Sequence, residues 1–444
     1  MKRKRLRGLV IMLLAVALLI PGCDPKEHET KYEPQYCSDS LLSASDAMWS
    51  HGLGDLQNTK RATDIRTKGC VYRHLGPSAP YLPPTVKWKF EIGGPGTAAP
   101  PVIGDDGTIY LVAEKPGQAD NGGYRDVGLF AINPNGTQKW YFSRPDSTLP
   151  GGAIMHGRSV ALADDGTIYL TLFDRIIYAL RKDGSIKWSK RKNAPAGPAV
   201  DVSHRAYFGS DTIWCYSGSG KLQWQYIPDE YIGYCTKIVL TPTMVICGFS
   251  DGILALSYTG KKKWFYPVDF FSPLHFSMVS DEEENIYFKT SSNNLRSIDR
   301  NGVLRWVGSV NNIGGMSDLA LRGQYLYFGA FTSMFRLDKD TGTDPVTFGY
   351  VPLARYISEN TAPLIDDAGT LYMPFPGAGI SAYLAEGTET GPSFLINKHW
   401  DMHIPQGDGN LLESYLAMGR DGVLYIASWV HGSAGKTGYL YAIN

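Results

Sequence analysis

The sequence predicts an all-β protein, an eight-bladed β-propeller of four-stranded blades. One unit recurs at a period of roughly 40 residues, which indicates stacked blades instead of a single sheet. Its segments are short, rich in β-branched and aromatic residues, and bounded by Gly, Asp and Asn turns. Its clearest mark is a Gly followed four residues later by a Trp, seen at Gly136/Trp140, Gly184/Trp188, Gly220/Trp224, Gly260/Trp264 and Gly302/Trp306.

Each unit reads as a short apolar strand, a tight turn, two further strands, a Gly turn and a Trp-bearing fourth strand. The second strands are GTIYL (107–111), GTIYL (166–170), RAYFG (205–209), VICG (245–248), NIYFK (285–289), YLYFG (325–329), GTLYM (369–373) and GVLYI (422–426). The third strands are LFAIN (129–133), IYALR (177–181), IWCYS (213–217), ILALS (253–257), LRSID (295–299), MFRLD (334–338), ISAYL (380–384) and LYAIN (440–444). Glycine in the turns before the second strands suits hairpin geometry, because it tolerates positive φ.

The two ends of the repeat complement each other. The chain stops at Asn444 after a third strand, while an unpaired copy of the fourth strand, Val86 to Phe90, precedes the first full unit. We predict that segment 85–90 pairs with the C-terminal blade and closes the ring, which removes exposed sheet edges. Two blades depart from the pattern: Val346 replaces Trp in blade six, and either Leu395 or Trp400 fills the position in blade seven.

The repeated tryptophans admit two interpretations, an aromatic binding stripe or a set of wedges between neighbouring blades. Their recurrence at one position of the unit favours wedges, because equivalent positions spread around a ring do not form one site. The residues concerned are Trp88, Trp140, Trp188, Trp224, Trp264 and Trp306.

The N-terminus has the pattern of a targeting signal. Five Lys and Arg residues precede an apolar stretch from Leu9 to Ile20, which is shorter than the roughly 20 residues that span a bilayer. The following Ile20-Pro21-Gly22-Cys23 resembles the bacterial lipobox, which implies cleavage before Cys23 and acylation of that residue. A plain secretory signal and an uncleaved anchor are the alternatives. We therefore expect a protein of the bacterial cell envelope, held through lipid on Cys23 at the periplasmic face or the cell surface.

The domain organisation follows from these boundaries. We predict a signal peptide at 1–22, a lipidated Cys and flexible tether at 23–48, an arm packed on the propeller at 49–84, and the propeller at 85–444. Loss of the signal removes five of 43 basic residues and none of 43 acidic residues, which leaves a formal net charge of −5. No long basic run remains, so we expect no nucleic-acid partner. We expect the propeller to be monomeric.

The remaining cysteines show no metal-binding spacing. Cys37 and Cys70 flank the N-terminal arm and could form a disulfide in an oxidising compartment. Cys215, Cys235 and Cys247 form an odd set whose pairing stays open, and we interpret Cys215 and Cys247 as buried core thiols. No CxxC motif or Cys/His cluster occurs, and the lone histidines lack ligand spacing, so we predict no metal site.

With its third strand, turn, Gly and Trp, the unit resembles the quinoprotein-type repeat over roughly residues 85–444. That family includes pyrroloquinoline quinone (PQQ) dehydrogenases and a non-enzymatic propeller lipoprotein of outer-membrane protein assembly. The dehydrogenases use Ca²⁺, a catalytic Asp and often two adjacent cysteines. No Cys-Cys pair occurs here, and no ligand or catalytic residue transfers, so we expect no cofactor and no catalytic residues. The leading hypothesis is a non-catalytic scaffold that binds protein or another polymer; a PQQ-dependent dehydrogenase and a carbohydrate-binding module are the alternatives.

The propeller predicts which face would bind a partner. The links from second to third strand and from fourth to first strand open on one face, and long loops on rigid scaffolds commonly carry function. The longest second-to-third links, starting at Glu114, Pro374 and Trp429, lie in blades one, seven and eight, which adjoin in a closed ring. Trp429 is the expected anchor there. The full set of candidate partner-binding residues is Trp429, His431, Tyr231, Tyr234, Phe270, Phe271, His275 and Tyr356.

Replacing Cys23 tests the anchor. Because Cys23 supplies the only thiol at the lipobox, we expect Cys23→Ser to yield a protein that is soluble or unprocessed. Detergent partitioning and the mass of the N-terminal peptide measure this directly. Normal processing and wild-type partitioning of the variant would contradict lipidation at Cys23.

Overall fold

A computed structural model describes residues 84–93, 100–116, 126–143, 160–172, 174–268, 277–290, 294–308, 316–330, 333–343, 346–350, 361–366, 370–375, 379–384, 398–403, 416–419, 421–427 and 438–444. All regular elements in these ranges are strands, and they form eight four-stranded antiparallel sheets arranged as the blades of a ring. The predicted eight-bladed, all-β propeller is confirmed. The signal, the tether, the arm, and Cys23, Cys37 and Cys70 lie outside these ranges.

The blades share one order of strands. The first strands are β2 (Val102–Ile103), β6 (Val160–Leu162), β10 (Ala196–Val200), β14 (Cys235–Leu240), β18 (Met278–Ser280), β22 (Ala320–Arg322), β26 (Leu364–Ile365) and β30 (Leu416–Met418). The second strands are β3 (Ile109–Glu114), β7 (Ile168–Thr171), β11 (Ala206–Gly209), β15 (Val245–Phe249), β19 (Ile286–Lys289), β23 (Tyr325–Ala330), β27 (Thr370–Phe375) and β31 (Leu424–Ala427).

The outer half of each blade follows the same order. The third strands are β4 (Val127–Ile132), β8 (Ile176–Leu180), β12 (Ile213–Tyr216), β16 (Gly252–Leu256), β20 (Leu295–Ile298), β24 (Ser333–Asp338), β28 (Gly379–Leu384) and β32 (Gly438–Ile443). The fourth strands are β5 (Gln138–Ser143), β9 (Ile186–Arg191), β13 (Leu222–Tyr226), β17 (Lys262–Pro267), β21 (Leu304–Val307), β25 (Val346–Tyr350), β29 (Lys398–His403) and β1 (Val86–Ile92).

The first strands form the inner ring. Consecutive first strands from β30 through β2, β6, β10, β14, β18 and β22 to β26 contact one another, whereas the fourth strands are partly exposed along the outside. The side chains that begin the first strands therefore lie at one mouth of the central space.

The hydrophobic core lies between blades. In blade two, Ile168 and Leu170 pack with residues of blade one, whereas Tyr169 between them packs with Val200 and Phe208 of blade three. Because successive side chains of a strand point to opposite faces, each inner strand serves two interfaces and is buried on both sides. This explains why the second and third strands read as continuous apolar runs.

The first and last strands of the described propeller pair with each other. Strand β1 runs antiparallel to β32, with Trp88 opposite Ala442 and Phe90 opposite Leu440. Backbone bonds in both directions between Thr85 and Asn444 extend the pairing.

The two irregular blades keep the same register. In blade one the tryptophan, Trp140, lies opposite Ala131 of the third strand. In blade seven Trp400 occupies that position, opposite Ala382, and in blade six Val346 does, opposite Arg336. Of the two candidates in blade seven, Trp400 is therefore the structural equivalent.

Each of the six tryptophans contacts the next blade through one repeated arrangement. The indole N–H donates to a carbonyl in the next blade's turn between third and fourth strands, and the ring lies against the glycine of that turn. The bonds are Trp88 to Pro134 (2.9 Å), Trp140 to Lys182 (2.9 Å), Trp188 to Gly218 (3.2 Å), Trp224 to Tyr258 (2.9 Å), Trp264 to Arg300 (2.8 Å) and Trp306 to Lys339 (2.8 Å). The glycines are Gly136, Gly184, Gly220, Gly260, Gly302 and Gly342, all at positive φ.

A matched pair of glycine substitutions tests this contact. Gly260 has φ +81°, and a Cβ there would lie 2.7 Å from the Trp224 ring, whereas a Cβ at Gly323, with φ +55°, would meet nothing within 4 Å. Both alanine variants carry the cost of a left-handed residue, about 1–2 kcal/mol, but only Gly260→Ala also separates two blades, which adds about 1–3 kcal/mol. Equal losses of unfolding free energy in Gly260→Ala and Gly323→Ala would contradict the packing role.

Deleting residues 86–90 tests the contribution of β1 to the ring. Without this strand, β32 presents an unpaired edge, so we expect a sharp loss of stability and aggregation. Thermal unfolding and light scattering measure both effects. A deletion variant that melts like the parent and stays monodisperse would refute the role of β1.

Candidate partner-binding face

The strands within each blade run antiparallel, so the connections between them lie alternately on two faces of the propeller. The turns between first and second strands and between third and fourth strands open on one face, here called the turn face. The links between second and third strands and from each fourth strand to the next blade open on the other, here called the loop face.

Short hydrogen-bonded turns build the turn face. In blade two, Gly166 N donates to Ala163 O (2.9 Å), and Thr167 N donates to Asp165 Oδ1 (2.8 Å). Lys187 Nζ lies 3.0 Å from Asp165 Oδ2 and 2.7 Å from Thr167 Oγ1. Hydrogen bonding to Thr167 and Lys187 outweighs the opposing effect of burial and lowers the pKa of Asp165, so this carboxylate stays ionised.

Two turn-face residues with positive φ join blades. His204 (φ 59°) and Glu284 (φ 65°) stand three residues before a second-strand tyrosine, where Gly107, Gly166 and Gly422 stand in other blades. A non-glycine residue in this region is strained. Each makes a polar contact with the preceding blade that a glycine could not make.

At Glu284 the strained backbone allows the side chain to bind the preceding blade. Its buried carboxylate accepts bonds from Thr241 Oγ1 (2.6 Å), Thr243 N (2.7 Å) and Thr243 Oγ1 (2.9 Å), all in blade four. Arg300 lies 3.0 Å away as an ion-pair partner. His204 pairs similarly with Asp164 of blade two.

A polar cluster connects blades three and four. Arg205 Nε and Tyr207 OH each donate to the buried Asp201 carboxylate at 2.7 Å, and Arg205 Nη1 donates to Tyr258 O of blade four (3.3 Å). Burial, reinforced by the Asp201 carboxylate, raises the pKa of Tyr207, so the phenol remains a donor. These polar groups of the turn face are engaged within the fold.

The loop face presents apolar and aromatic side chains to solvent in the link at 227–234. This link joins blade three to blade four. Tyr231 is 71% exposed, Ile227 61% and Tyr234 49%, so this one link exposes three large side chains. The rings of Tyr231 and Tyr234 meet edge to face, with centroids 6.0 Å apart and planes at 86°. We call Ile227, Tyr231 and Tyr234 the tyrosine patch.

The backbone beneath the tyrosine patch is fixed to both neighbouring turns. Ile232 is half-buried against the core of blades three and four, and its carbonyl accepts from Asp251 N (3.3 Å). Cys235 N donates to Ser210 O (2.8 Å). Gly233, at φ +82°, packs against Ser250, whose Cβ would lie 2.6 Å from a Cβ at that position. The patch is therefore presented by an anchored link.

Carboxylates surround the tyrosine patch. Asp211, Asp229, Glu230 and Asp251 are all exposed on this link or on the adjoining turns. Desolvation, together with Tyr234 and the carboxylates of Asp251 and Asp211, raises the pKa of Tyr231, so its phenol is protonated at neutral pH. The patch thus combines exposed aromatic rings with negative charge.

The structure brings together Tyr231 and Tyr234 of the candidate partner residues. Trp429, His431, Phe270, Phe271, His275 and Tyr356 lie outside the described ranges. Sequence reasoning missed Ile227 and the acidic rim. The length of the link could have pointed to these residues in the sequence. The link 227–234 is twice as long as 192–195, the other fully described link from a fourth to a first strand.

A second polar feature lies at the inner mouth of the loop face. Lys237 in β14 of blade four points its Nζ toward Asp318, just before β22 of blade six, at 4.0 Å from Oδ2. Lys289, at the end of β19 in the intervening blade, donates to Met316 O (2.7 Å). We call Lys237, Lys289 and Asp318 the inner-mouth cluster; all three side chains are largely buried.

Chemistry typical of a metal centre is not seen in the described ranges. No group of three or more His, Cys, Asp or Glu residues is placed there to hold a metal ion.

Within the same ranges, no helix has the length and apolar character needed to cross a membrane. The free thiols of Cys215, Cys235 and Cys247 are buried, and desolvation raises the pKa of Cys215 to about 12, so it is not a nucleophile at neutral pH.

Comparison with known proteins identifies the fold. No family profile and no curated protein sequence matches the chain. Among solved structures, the quinohemoprotein alcohol dehydrogenase ADHIIG of Pseudomonas putida HK5 is 12% identical, with a TM-score of 0.65 over 90% of this chain and 80% of that one. BamB of Moraxella catarrhalis (12% identity, TM-score 0.45) covers 62% of this chain and 83% of its own. The computationally designed Ika8 (12%, 0.48) covers 81% and 97%.

The resemblance to quinoprotein-type repeats is confirmed at the level of the fold. At 12% identity the likeness to the alcohol dehydrogenase concerns the path of the backbone alone. The chain is an eight-bladed β-propeller whose backbone path is similar to that of this alcohol dehydrogenase.

Proposed function

We propose that this protein is a lipid-anchored, non-catalytic scaffold of the cell envelope that binds a protein or another polymer through its loop face. The observation that carries the proposal is the tyrosine patch. Large aromatic side chains on an anchored backbone are the residues that dominate binding energy at interfaces. The lipobox at Cys23 supports the envelope location.

The contrast between the two faces supports the same choice. The turn-face groups described above bond to their own or neighbouring blades, and a group already satisfied within the fold gains little from a partner. On the loop face Tyr231 remains 71% exposed although its backbone is fixed. Little conformational entropy would be lost when a partner covers it.

The dehydrogenase alternative needs a Ca²⁺ bound by oxygen ligands. Of the inner-mouth cluster, Asp318 could supply such oxygens, but the Lys237 ammonium lies 4.0 Å from its carboxylate and would repel a cation. The inner-mouth cluster does not fit Ca²⁺. We derive no catalytic step, and adding PQQ with Ca²⁺ and measuring dye-linked alcohol oxidation tests the alternative directly.

Alanine variants of the patch test the binding proposal. We expect Tyr231→Ala with Tyr234→Ala to weaken binding of a cross-linked, identified partner by about thirtyfold or more, since an aromatic anchor contributes roughly 2 kcal/mol. Leu222→Ala is the matched control, because Leu222 is also exposed (43%) but lies at the turn-face end of β13. Melting temperatures of all variants should stay near the wild-type value.

Two further variants separate the two parts of the loop face. Trp429→Ala tests the anchor expected in blade eight, and shortening the link 114–127 tests blade one. Loss of affinity in these variants but not in the tyrosine variants would move the site to blades seven, eight and one. Unchanged affinity in every loop-face variant would contradict the proposal.

A further inference from the structure

The loop-face end of blade two carries a cluster of basic side chains. Strand β9 ends at Arg191, and Lys192 begins the link to blade three. Because Ile176 lies opposite Arg191 in the ladder of β8 and β9, Arg175, immediately before β8, lies beside this strand end. Arg175 and Arg191 are exposed, and Lys190 and Lys192 are half-buried. We call Arg175, Lys190, Arg191 and Lys192 the basic cluster.

The positive charge of the basic cluster is not neutralised by its own blade. Within the described ranges, none of its four side chains forms an ion pair. The neighbouring Asp174 is 2% exposed and accepts bonds from Tyr178 OH and Ile176 N, so its carboxylate is directed into the blade. Lys187, the other basic residue of β9, pairs instead with Asp165 on the turn face. The basic cluster therefore faces solvent as a group of like charges.

The basic cluster adjoins the link that carries the tyrosine patch. Lys192 Nζ lies 5.2 Å from the ring centroid of Trp214 in blade three, three residues beyond Asp211. Ser210 O, beside Asp211, accepts from Cys235 N at the end of that link (2.8 Å). A continuous run of contacts thus joins the cations of blade two to the carboxylates around the tyrosine patch.

Those carboxylates form a second group of like charges. The acidic rim consists of Asp211, Asp229, Glu230 and Asp251, all exposed. None of them forms an ion pair with any residue that the structure describes. The loop face of blades two to four therefore presents two groups of opposite sign side by side, with the exposed rings of Tyr231 and Tyr234 among the negative charges.

This arrangement discriminates between classes of partner. Juxtaposed like charges oppose binding, and complementary charges steer and orient it. An anionic membrane surface or an acidic polysaccharide would be attracted by the basic cluster but repelled by the acidic rim. A polycation would meet the reverse. A polypeptide can carry both signs at fixed positions next to apolar side chains, and so can match the whole face.

We propose that the partner of the loop face is a polypeptide whose docking segment has an acidic end and an end that combines basic with apolar side chains. The acidic end lies against the basic cluster. The other end covers the tyrosine patch, where its cations lie among the carboxylates of the acidic rim and over the exposed phenol rings. This inference rests on the proposed function, because it gives the chemistry of the partner for the same face.

Fluorescence anisotropy on the full-length protein in an uncharged detergent tests the inference with three labelled peptides of equal length. All contain the same Leu and Tyr residues in one half. The first has Glu in the other half and Lys beside the Leu and Tyr residues, the second carries only Glu, and the third only Lys. We expect the two-sign peptide to bind about tenfold or more tightly than either one-sign peptide, and added salt to weaken its binding.

Charge reversal on the protein should exchange these preferences. Arg191→Glu with Lys192→Glu makes the face acidic throughout, so we expect it to weaken the two-sign peptide about tenfold and to strengthen the all-Lys peptide. Asp229→Lys with Glu230→Lys should strengthen the all-Glu peptide instead. The control, Lys221→Glu with Lys261→Glu, makes the same change of net charge at exposed positions beside turn-face turns and should leave the ranking unchanged.

Each outcome decides the inference. A wild-type protein that does not bind the two-sign peptide, or binds a one-sign peptide as tightly, contradicts it; preference for the all-Glu peptide would point to a cation-lined site for an anionic surface. An unchanged ranking after charge reversal in blade two contradicts it as well. If the ranking fails while Tyr231→Ala with Tyr234→Ala still weakens binding of the identified partner, the charge inference falls and the proposed function stands.

Discussion

The contact between a tryptophan of one blade and a glycine turn of the next is the interaction on which the rest of this propeller depends. Each indole does two things at once: it donates to a turn carbonyl and covers a glycine whose missing Cβ makes room for the ring. The same contact recurs at six of the interfaces between blades, so its contribution is repeated around the ring.

This constraint explains why the sequence was informative about the fold. Gly260 and Trp264 are close in sequence but contact different neighbouring blades. Gly260 contacts Trp224 of the preceding blade, and Trp264 contacts Gly302 of the following blade. Each Gly-Trp motif thus takes part in the interfaces on both sides of its blade. Its regular recurrence therefore indicates a ring of blades. Where Trp is replaced, as at Val346, the register of the strands still preserves the position.

Other features could not be read from the repeat because they depend on contacts between distant residues. Glu284 breaks the glycine pattern of its turn, and only the structure shows that its carboxylate reaches the threonines of blade four. The approach of Lys237 to Asp318 skips a whole blade. The tyrosines were suspected from their loop, but their mutual contact and the acidic rim required the fold. The predicted residues in blades seven and eight, including Trp429, stay hypotheses.

The two faces consequently have different physical roles. Turn-face polar groups such as Asp201 and Glu284 hold blades together, which makes the scaffold that fixes the link at 227–234. The loop face carries the exposed rings of Tyr231 and Tyr234, which take no part in this cohesion. We locate the proposed partner-binding site on the loop face, at the exposed side chains of the link 227–234.

Hydrogen exchange of the indole N–H groups, followed by ¹⁵N NMR on the native protein, is the most direct test of the central contact. The account predicts that the indoles of Trp88, Trp140, Trp188, Trp224, Trp264 and Trp306 exchange far more slowly than free tryptophan, although several of these rings are only partly buried. Exchange at the rate of free indole in most of the six would show that the bonds between blades are not formed and would contradict the account.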